Sequence, residues 1–203
     1  MLTLFHAPNT RSTGVLALLH AMGKRDAVDV RVVGLRRSDG TGAADSANPH
    51  PEGKVPTLMV GKEMLRERNA IVLFLTDHFR SDLGRDVGAA GRASYLRWLA
   101  YYGNVVEPVL ISEAAGVADH PAMQSTFRGR PEMEAELSAA LTDQPFLLGD
   151  DYSAADLLMA SPFVWFPEFM PAAQSIRDWV ARCGAHPSAA LAAQEEARMT
   201  ADA

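Results

Sequence analysis

The pattern of hydrophobic and polar positions in the first 35 residues predicts a strand, a helix and a second strand. The apolar run "LTLF" ends at "HAPNT", whose proline and asparagine are typical of a loop. Apolar residues then recur at helical spacing at Val15, Leu18, Leu19 and Met22. Ser12 or Thr13 can cap the start of this helix, and Gly23 can end it. The alternating, valine-rich segment "VDVRVV" completes a βαβ unit.

A loop, a hairpin and another helix follow in the predicted order. Residues 36–54 are rich in Gly, Ser, Asp and Pro, and we expect a loop with at most a short helix. The segments "TLMV" and "KEML" flank Gly61 as two short strands, and Ile71, Phe74 and Leu75 mark the next helix. The pattern therefore predicts an α/β domain of order βαβ-loop-ββα over residues 1–80.

Beyond residue 80 the spacing of apolar residues predicts helices and no strands. Residues 81–91 lack periodicity, and we expect them to be a linker to an all-α domain over residues 92–203. One helical stripe comprises Leu96, Leu99, Tyr102, Val106 and Leu110, and another comprises Ile176, Trp179, Val180 and Cys183. Cys183 is accordingly predicted to be a buried small hydrophobe. In "DDYSAADLL", Ser153 and Asp156 form a predicted capping box, which we interpret as structural.

Composition narrows the function classes. With 203 residues and 48% hydrophobic content the chain can bury a substantial core. Its single cysteine excludes an internal disulfide, a CxxC dithiol reductase and a cysteine-based zinc cluster. No segment approaches the ~20 apolar residues that span a bilayer, and the N-terminus has no export signal. We therefore expect a cytoplasmic protein that needs no metal and no membrane.

Charge is divided unequally along the chain. Residues 1–80 carry 11 Lys and Arg against 8 Asp and Glu, a net charge of +3, whereas the remaining residues carry 8 against 17, a net charge of −9. The total of −6 argues against a broad nucleic-acid surface. An anionic small ligand would prefer the first domain, although ordinary scatter of surface charge explains the same numbers.

The segment "GKVPTL" places Pro56 between the loop and a strand. A cis bond before this proline would turn the N–H and C=O of Val55 outward, where an extended peptide can pair with them. The alternative is an ordinary trans proline that begins an edge strand.

These segments together resemble the glutathione transferase superfamily over nearly the whole chain. Its members show N-P-x-G-K-V-P-x-L followed about a dozen residues later by E-S-x-A-I, and this sequence has "NPHPEGKVPTL" and then Glu67, Ala70 and Ile71. The resemblance implies a thioredoxin-like first domain that binds glutathione, and a C-terminal helical bundle.

By that resemblance, several residues would bind glutathione. Val55, with Pro56 cis, would pair with its cysteinyl part, and Lys54 would approach its glycyl carboxylate. Glu67 and its neighbour would hold the γ-glutamyl end at a helix N-terminus, where exposed N–H groups favour a carboxylate. The neighbour is Arg68 and not the usual serine, so a bidentate guanidinium or merely a solvated side chain stands there.

The turn "HAPNTRST" is where this superfamily keeps the residue that stabilises the thiolate of glutathione. Asn9 falls where several classes have serine, and Arg11 where the beta class has cysteine. Asn9 is a candidate amide donor to sulfur, Arg11 a candidate charge partner, and Thr10 or Ser12 a candidate hydroxyl donor. The same residue types are also what any strand-to-helix turn prefers. His6, at the end of the first strand, is predicted to be packed between layers.

The resemblance implies an enzyme that uses glutathione as co-substrate. Its thiolate would attack a small apolar electrophile or a disulfide in a cleft between the domains, with Tyr101 or Tyr102 lining the pocket. Conjugation, peroxide reduction and deglutathionylation all remain open, and superfamily members commonly form homodimers. The alternative is a catalytically weak, transferase-like binding or regulatory protein, which Arg68 and the unusual first turn favour.

Overall fold

The computed structural model describes residues 1–37 and 39–201, which form two compact units. One comprises residues 1–79 together with the C-terminal segment that begins at His186, and the other comprises residues 80–185. The first boundary lies between residues 79 and 80, and the sequence pattern loses its periodicity at residue 81.

A mixed sheet organises the first unit. Its strands are β1 (Leu2–His6), β2 (Asp29–Val32), β3 (Thr57–Val60) and β4 (Glu63–Leu65), in the spatial order β2-β1-β3-β4. β1 runs parallel to β2 and antiparallel to β3, and β3 and β4 form a hairpin. Every residue of β1 is buried, because this central strand is covered on both faces. Gly61 takes the left-handed conformation that the tight hairpin turn requires, with φ 61°.

Two helices complete the predicted βαβ-loop-ββα order. α1 spans Ser12–Ala21 and α2 spans Arg68–His78. α1 ends as predicted before Gly23, which has φ 63°. Its predicted N-cap was wrong: Arg11 is the N-cap, without a side-chain hydrogen bond, and Ser12 and Thr13 lie inside the helix. Their hydroxyls bond to the preceding turn instead, as local side-chain to backbone bonds often do.

The described part of residues 33–56 contains no helix or strand, as the Gly- and Pro-rich sequence predicts. Side chains hold this loop together. Asp45 accepts hydrogen bonds from the N–H groups of Gly34 and Ala47, and the Asn48 side chain donates to the carbonyl of Lys54. These bonds satisfy loop backbone groups that have no neighbouring strand to pair with.

The second unit is helical, as predicted. Its helices are α3 (Arg92–Tyr101), α4 (Glu107–Ala114), α5 (Pro121–Thr126), α6 (Arg130–Ala140), α7 (Ala154–Trp165) and α8 (Gln174–Gly184). A π-helical segment, Tyr102–Val106, joins α3 to α4. The core of the unit is built on large side chains with at most 1% exposure, namely Tyr95, Trp98, Met133, Phe163 and Trp179. Cys183 is buried beside them, as its apolar stripe predicts, and burial raises the pKa of its thiol.

The predicted capping box is present at the start of α7. Ser153 accepts a hydrogen bond from the Asp156 N–H, and Asp156 accepts one from the Ser153 N–H. Asp156 also accepts from the Leu147 N–H and from the Trp179 indole, both at 2.8 Å. Burial raises the pKa of Asp156, although these donors oppose the change. The box therefore ties three separate segments of the second unit together.

The last helix, α9 (Pro187–Ala201), departs from the predicted domain organisation. The sequence predicted residues 92–203 as one helical domain, but α9 packs against α1 and belongs to the first unit. Ser188, Ala192 and Glu196 recur every four residues and form its buried face. Because two of these side chains are small and one is charged, the helix has no apolar stripe from which its partner could be predicted.

Candidate functional site

Four segments of the first unit meet at one end of the sheet. Phe5 pairs with Thr57, so the turn after β1 lies beside the residues that precede β3. Val32 pairs with His6 in parallel, which brings the loop after β2 to the same end. Leu65 pairs with Leu58, so the N-terminus of α2 arrives there as well. This end, formed by residues 7–11, 33–37, 52–56 and 66–68, is called the loop end below.

The loop end is rich in positive charge. Its four segments carry six cationic side chains, Arg11, Arg36, Arg37, Lys54, Arg66 and Arg68, against two acidic ones, Glu52 and Glu67. Because cationic side chains outnumber acidic ones there, the loop end carries a net positive charge that favours an anionic ligand.

The turn between β1 and α1 is held by a dense set of internal hydrogen bonds. The Thr10 hydroxyl donates to the Ala7 carbonyl at 2.7 Å and accepts from the Ser12 N–H at 3.2 Å. The Thr10 N–H donates to the Thr13 hydroxyl at 3.3 Å. Asn9, with φ 57°, is in the left-handed conformation that asparagine tolerates better than most residues. Its side chain is exposed at the tip of the turn.

Ser12 and His6 form the buried floor of this turn. Both are fully buried, and Ser12 Oγ lies 2.7 Å from His6 Nδ1. Burial lowers the pKa of His6 from 6.5 to about 4, while the nearby Glu195 carboxylate opposes this change. The imidazole is therefore neutral at pH 7, and its Nδ1 forms a hydrogen bond with the Ser12 hydroxyl. His6 is packed as predicted, and the hydroxyl of Ser12 faces the protein interior, where it contacts His6 and the Ala7 carbonyl.

Two residues at the turn were missed by sequence reasoning. The buried Glu196 of α9 accepts a hydrogen bond from the Asn9 N–H at 3.2 Å and one from the Thr13 hydroxyl at 2.5 Å. Arg37, in the loop after β2, donates from Nη2 to the Pro8 carbonyl at 2.9 Å. Neither residue stands in a sequence motif, and the charge pattern of the first 80 residues was the only signal that could have indicated Arg37.

The Val55–Pro56 peptide bond, just before β3, is cis. Pro56 is buried and Val55 is partly exposed. Among the described residues, no protein hydrogen bond reaches the N–H or the C=O of Val55. Lys54 is exposed, and its Nζ lies 2.6 Å from Glu52 Oε2.

The N-terminus of α2 has an unusual backbone. Glu67 is the N-cap with φ 68° and ψ 115°, and its side chain does not cap the helix. Such strain in a non-glycine residue is common at functional sites. Arg68 follows as the first helical residue, and its Nε and Nη2 atoms are buried. Both predicted residues therefore lie at a helix N-terminus, where the first backbone N–H groups have no acceptor within the helix itself.

The two tyrosines predicted for a pocket lie in the second unit. Tyr102 is buried in the core of that unit, and Tyr101 is partly exposed and packs edge-on against Trp98. In the part of the chain that the structure describes, no group of three or more His, Cys, Asp or Glu side chains is placed to hold a metal ion. Over residues 1–37 and 39–201, no helix has the length and apolar character that a bilayer crossing requires.

Comparisons with known proteins identify the fold. No protein-family model matches the sequence, and no curated protein does either. Solved structures match along nearly the whole chain. A glutathione S-transferase from Actinobacillus pleuropneumoniae is 20% identical, with a TM-score of 0.77 over 97% of this chain and 93% of that one.

Two further matches were solved with glutathione. A sphingomonad glutathione S-transferase in complex with glutathione is 22% identical, with a TM-score of 0.72 over 96% of this chain and 98% of that one. A theta-class enzyme from Xanthomonas axonopodis pv. citri, with glutathione bound, is 26% identical, with a TM-score of 0.70 over 95% and 96%. The chain therefore has the fold of the glutathione transferase superfamily.

Proposed function

We propose that this protein is a glutathione transferase that binds glutathione at the loop end of its first unit. The observation that carries the proposal is the meeting of four segments there, with their excess of positive charge and the unpaired backbone groups of Val55. Glutathione is a peptide with two carboxylates, so it needs both a backbone edge to pair with and cations at its ends. The glutathione complexes of structures with this fold support the same assignment.

Each part of glutathione has a candidate partner. The N–H and C=O of Val55 pair with the cysteinyl residue, as in the addition of a short strand. Lys54, held near Glu52, is the candidate for the glycyl carboxylate. Arg68 and the N–H groups at the start of α2, beside Glu67, are the candidates for the γ-glutamyl carboxylate. Pro56 fixes the direction of the chain before β3.

Asn9 is the best candidate to stabilise the thiolate of glutathione. The N–H groups of Asn9, Thr10, Ser12 and Thr13 are all bonded within the protein. The hydroxyl of Thr10 donates to Ala7, and that of Ser12 is buried. The exposed side-chain amide of Asn9 is left as a donor, and Arg11, also exposed, adds positive charge nearby.

The proposed chemistry is nucleophilic attack by this thiolate. A free thiol with a pKa of roughly 8.5 is mostly protonated at pH 7, so a donor and positive charge at the sulfur raise the reactive fraction. The sulfur then forms a bond to the electrophilic carbon of an apolar substrate and expels its leaving group, or it attacks one sulfur of a disulfide and releases the other as thiolate. The protein itself lacks an accessible cysteine, so glutathione supplies the only thiol needed.

A homodimer is part of the proposal. In the first unit, a shallow depression of about 520 Å³ beside α2 has a largely apolar lining that includes Leu65, Leu73 and Phe74. Apolar surface of this kind is common where subunits meet. Light scattering on the purified protein, at concentrations above and below micromolar, tests the dimer directly.

The alternative function is a catalytically weak binding or regulatory protein. It is favoured by Arg68 in place of the superfamily's serine, and by a first turn that has no exposed serine, cysteine or tyrosine. Such a protein would bind glutathione poorly and would copurify with a large partner.

Calorimetry and thermal unfolding with glutathione distinguish the two. An enzyme with the proposed site is stabilised by millimolar glutathione, by about 2.7 kcal/mol where the concentration is a hundred times Kd. It also turns over a chlorinated nitroaromatic or a small disulfide with glutathione. A protein that shows neither binding nor turnover is not this enzyme, and a large copurifying partner then supports the alternative.

A further inference from the structure

The C-terminal helix brings a buried carboxylate to the turn that follows the first strand. Glu196 is only 5% exposed, yet it lies 187 positions after Asn9, whose N–H donates to its Oε2. Its other oxygen accepts from the Thr13 hydroxyl, which in turn accepts from the Thr10 N–H. One carboxylate therefore supports two successive backbone N–H groups of the turn, the first directly and the second through Thr13.

The preceding residue, Glu195, makes contacts of a different kind. Its carboxylate bonds to His20, in the last turn of α1, at 2.7 Å and to Arg25, in the segment that follows α1, at 2.6 Å. These contacts tie α9 to the end of α1 and to the segment that follows it, whereas Glu196 bonds to the turn. Variants of the two neighbouring residues can therefore separate the packing of α9, to which Glu195 contributes, from the hydrogen bonds to the turn, which Glu196 accepts.

The bonds of Glu196 bear directly on the conformation of Asn9. With φ 57°, Asn9 occupies a region that costs a non-glycine residue free energy and needs support from its surroundings. A hydrogen bond from its N–H to a buried carboxylate provides that support, because charge-assisted bonds are stronger than neutral ones. The side chain of Asn9 stays exposed above this fixed backbone.

We propose that Glu196 is a positioning residue, which fixes the turn so that Asn9 presents its side-chain amide to the sulfur of glutathione. This inference rests on the proposed function. The contribution of Glu196 is geometric, because a negative charge near the sulfur would by itself disfavour a thiolate. The C-terminal helix α9 and the turn that contains Asn9 therefore act together on the thiol of glutathione.

The test compares the variants Glu196→Ala, Glu196→Gln and Glu195→Ala with the unmodified protein. Amide hydrogen exchange measured by NMR reports on the Asn9 N–H without any ligand. We expect Glu196→Ala to speed exchange at Asn9 roughly tenfold or more, the factor that corresponds to loss of a hydrogen bond to a charged group. Glu196→Gln keeps an oxygen acceptor on a side chain of the same length and should change the exchange rate of the Asn9 N–H less. Glu195→Ala should leave this exchange rate close to that of the unmodified protein.

Steady-state kinetics then connect the turn to the reaction. Glu196→Ala should lower kcat by roughly tenfold while KM for glutathione changes by less than about threefold, with Glu196→Gln restoring part of the loss. Should Glu196→Ala fail to fold, Glu196→Gln against Glu195→Gln carries the same comparison.

The inference is overturned if Asn9 exchanges equally fast in Glu195→Ala and Glu196→Ala, or if both variants match the unmodified protein. It is also overturned if the Asn9 amide responds but kcat and KM change in equal proportion in both variants. If the unmodified protein does not bind glutathione, the proposed function fails, and the exchange measurement still decides whether Glu196 fixes the turn.

Discussion

Ser12 Oγ lies 2.7 Å from His6 Nδ1, and neither side chain has any exposure to solvent. This buried pair packs against the inner side of the turn that contains Asn9. His6 Nε2 lies 3.4 Å from Glu196 Oε1, so the same imidazole also borders the carboxylate of the C-terminal helix. Because the ring is buried, its charge state is coupled to the stability of the first unit.

The free energy of unfolding should fall as pH is lowered from about 6.5 toward 4. His6 titrates near 6.5 in the unfolded chain but near 4 in the folded protein, because burial disfavours the imidazolium. The unfolded state therefore takes up more protons in this window. The stability associated with neutral His6 is complete above pH 6.5 and is lost at up to about 1.4 kcal/mol per pH unit as pH falls.

Urea unfolding of the unmodified protein and of His6→Gln between pH 4 and 7 isolates this effect. Carboxylates titrate in both proteins, so the difference between the two profiles reports on His6. His120→Asn, which replaces an exposed histidine, is the control and should keep the wild-type slope. A His6→Gln profile that parallels the wild type would contradict a neutral, buried imidazole.

Asp156→Ala should lower the unfolding free energy by about 3 kcal/mol or more. Four donors lose their acceptor, namely the N–H groups of Leu147 and Ser153, the Ser153 hydroxyl and the Trp179 indole. Each buried donor left unsatisfied costs about 1–3 kcal/mol. Chemical denaturation measures the change, and Asp151→Ala, at an exposed position in the same segment, should stay within about 0.5 kcal/mol. Equal effects from both variants would show that the capping box does not hold the second unit together.

Arg68→Ala should weaken the binding of glutathione about tenfold or more. The guanidinium at the N-terminus of α2 is proposed to hold a carboxylate through charge-assisted hydrogen bonds, each worth about 1.5–3 kcal/mol. Arg68→Ser introduces the residue that the superfamily has at this place and should recover part of the affinity, because its hydroxyl can serve both helix and ligand.

Isothermal titration calorimetry with glutathione measures these affinities. Arg66→Ala removes an exposed cation two residues earlier and controls for the general potential of the loop end. If Arg68→Ala binds as tightly as the unmodified protein while Arg66→Ala binds more weakly, the γ-glutamyl carboxylate is held elsewhere.

The sequence predicts much of the fold because its signals are local. The runs "LTLF" and "TLMV", the helical stripe from Val15 and the glycines at 23 and 61 each determine an element from a few neighbouring residues. The place of α9 is not encoded locally. Its buried face consists of Ser188, Ala192 and Glu196, and only the three-dimensional fit against α1 decides where it packs.

For the candidate site, motifs identify the segments but not the orientation of their side chains. "GKVPTL" and Glu67, which the motifs single out, both have residues at the loop end. From the sequence alone, Ser12 and Thr10 were equal candidates for the hydroxyl donor. The side chain of Ser12 is buried against His6, which lies at the end of β1. Glu196 bonds to the turn across 187 positions, a relationship that no local pattern contains.

Glutathione is proposed to bind beside Val55 with its sulfur at the side-chain amide of Asn9. A crystal structure of the complex with glutathione tests it most directly. We expect the cysteinyl backbone to pair with the N–H and C=O of Val55, and the sulfur to lie within hydrogen-bonding distance of Asn9 Nδ2. Glutathione bound elsewhere, or a sulfur that contacts neither Asn9 nor any other residue of the first turn, would contradict it.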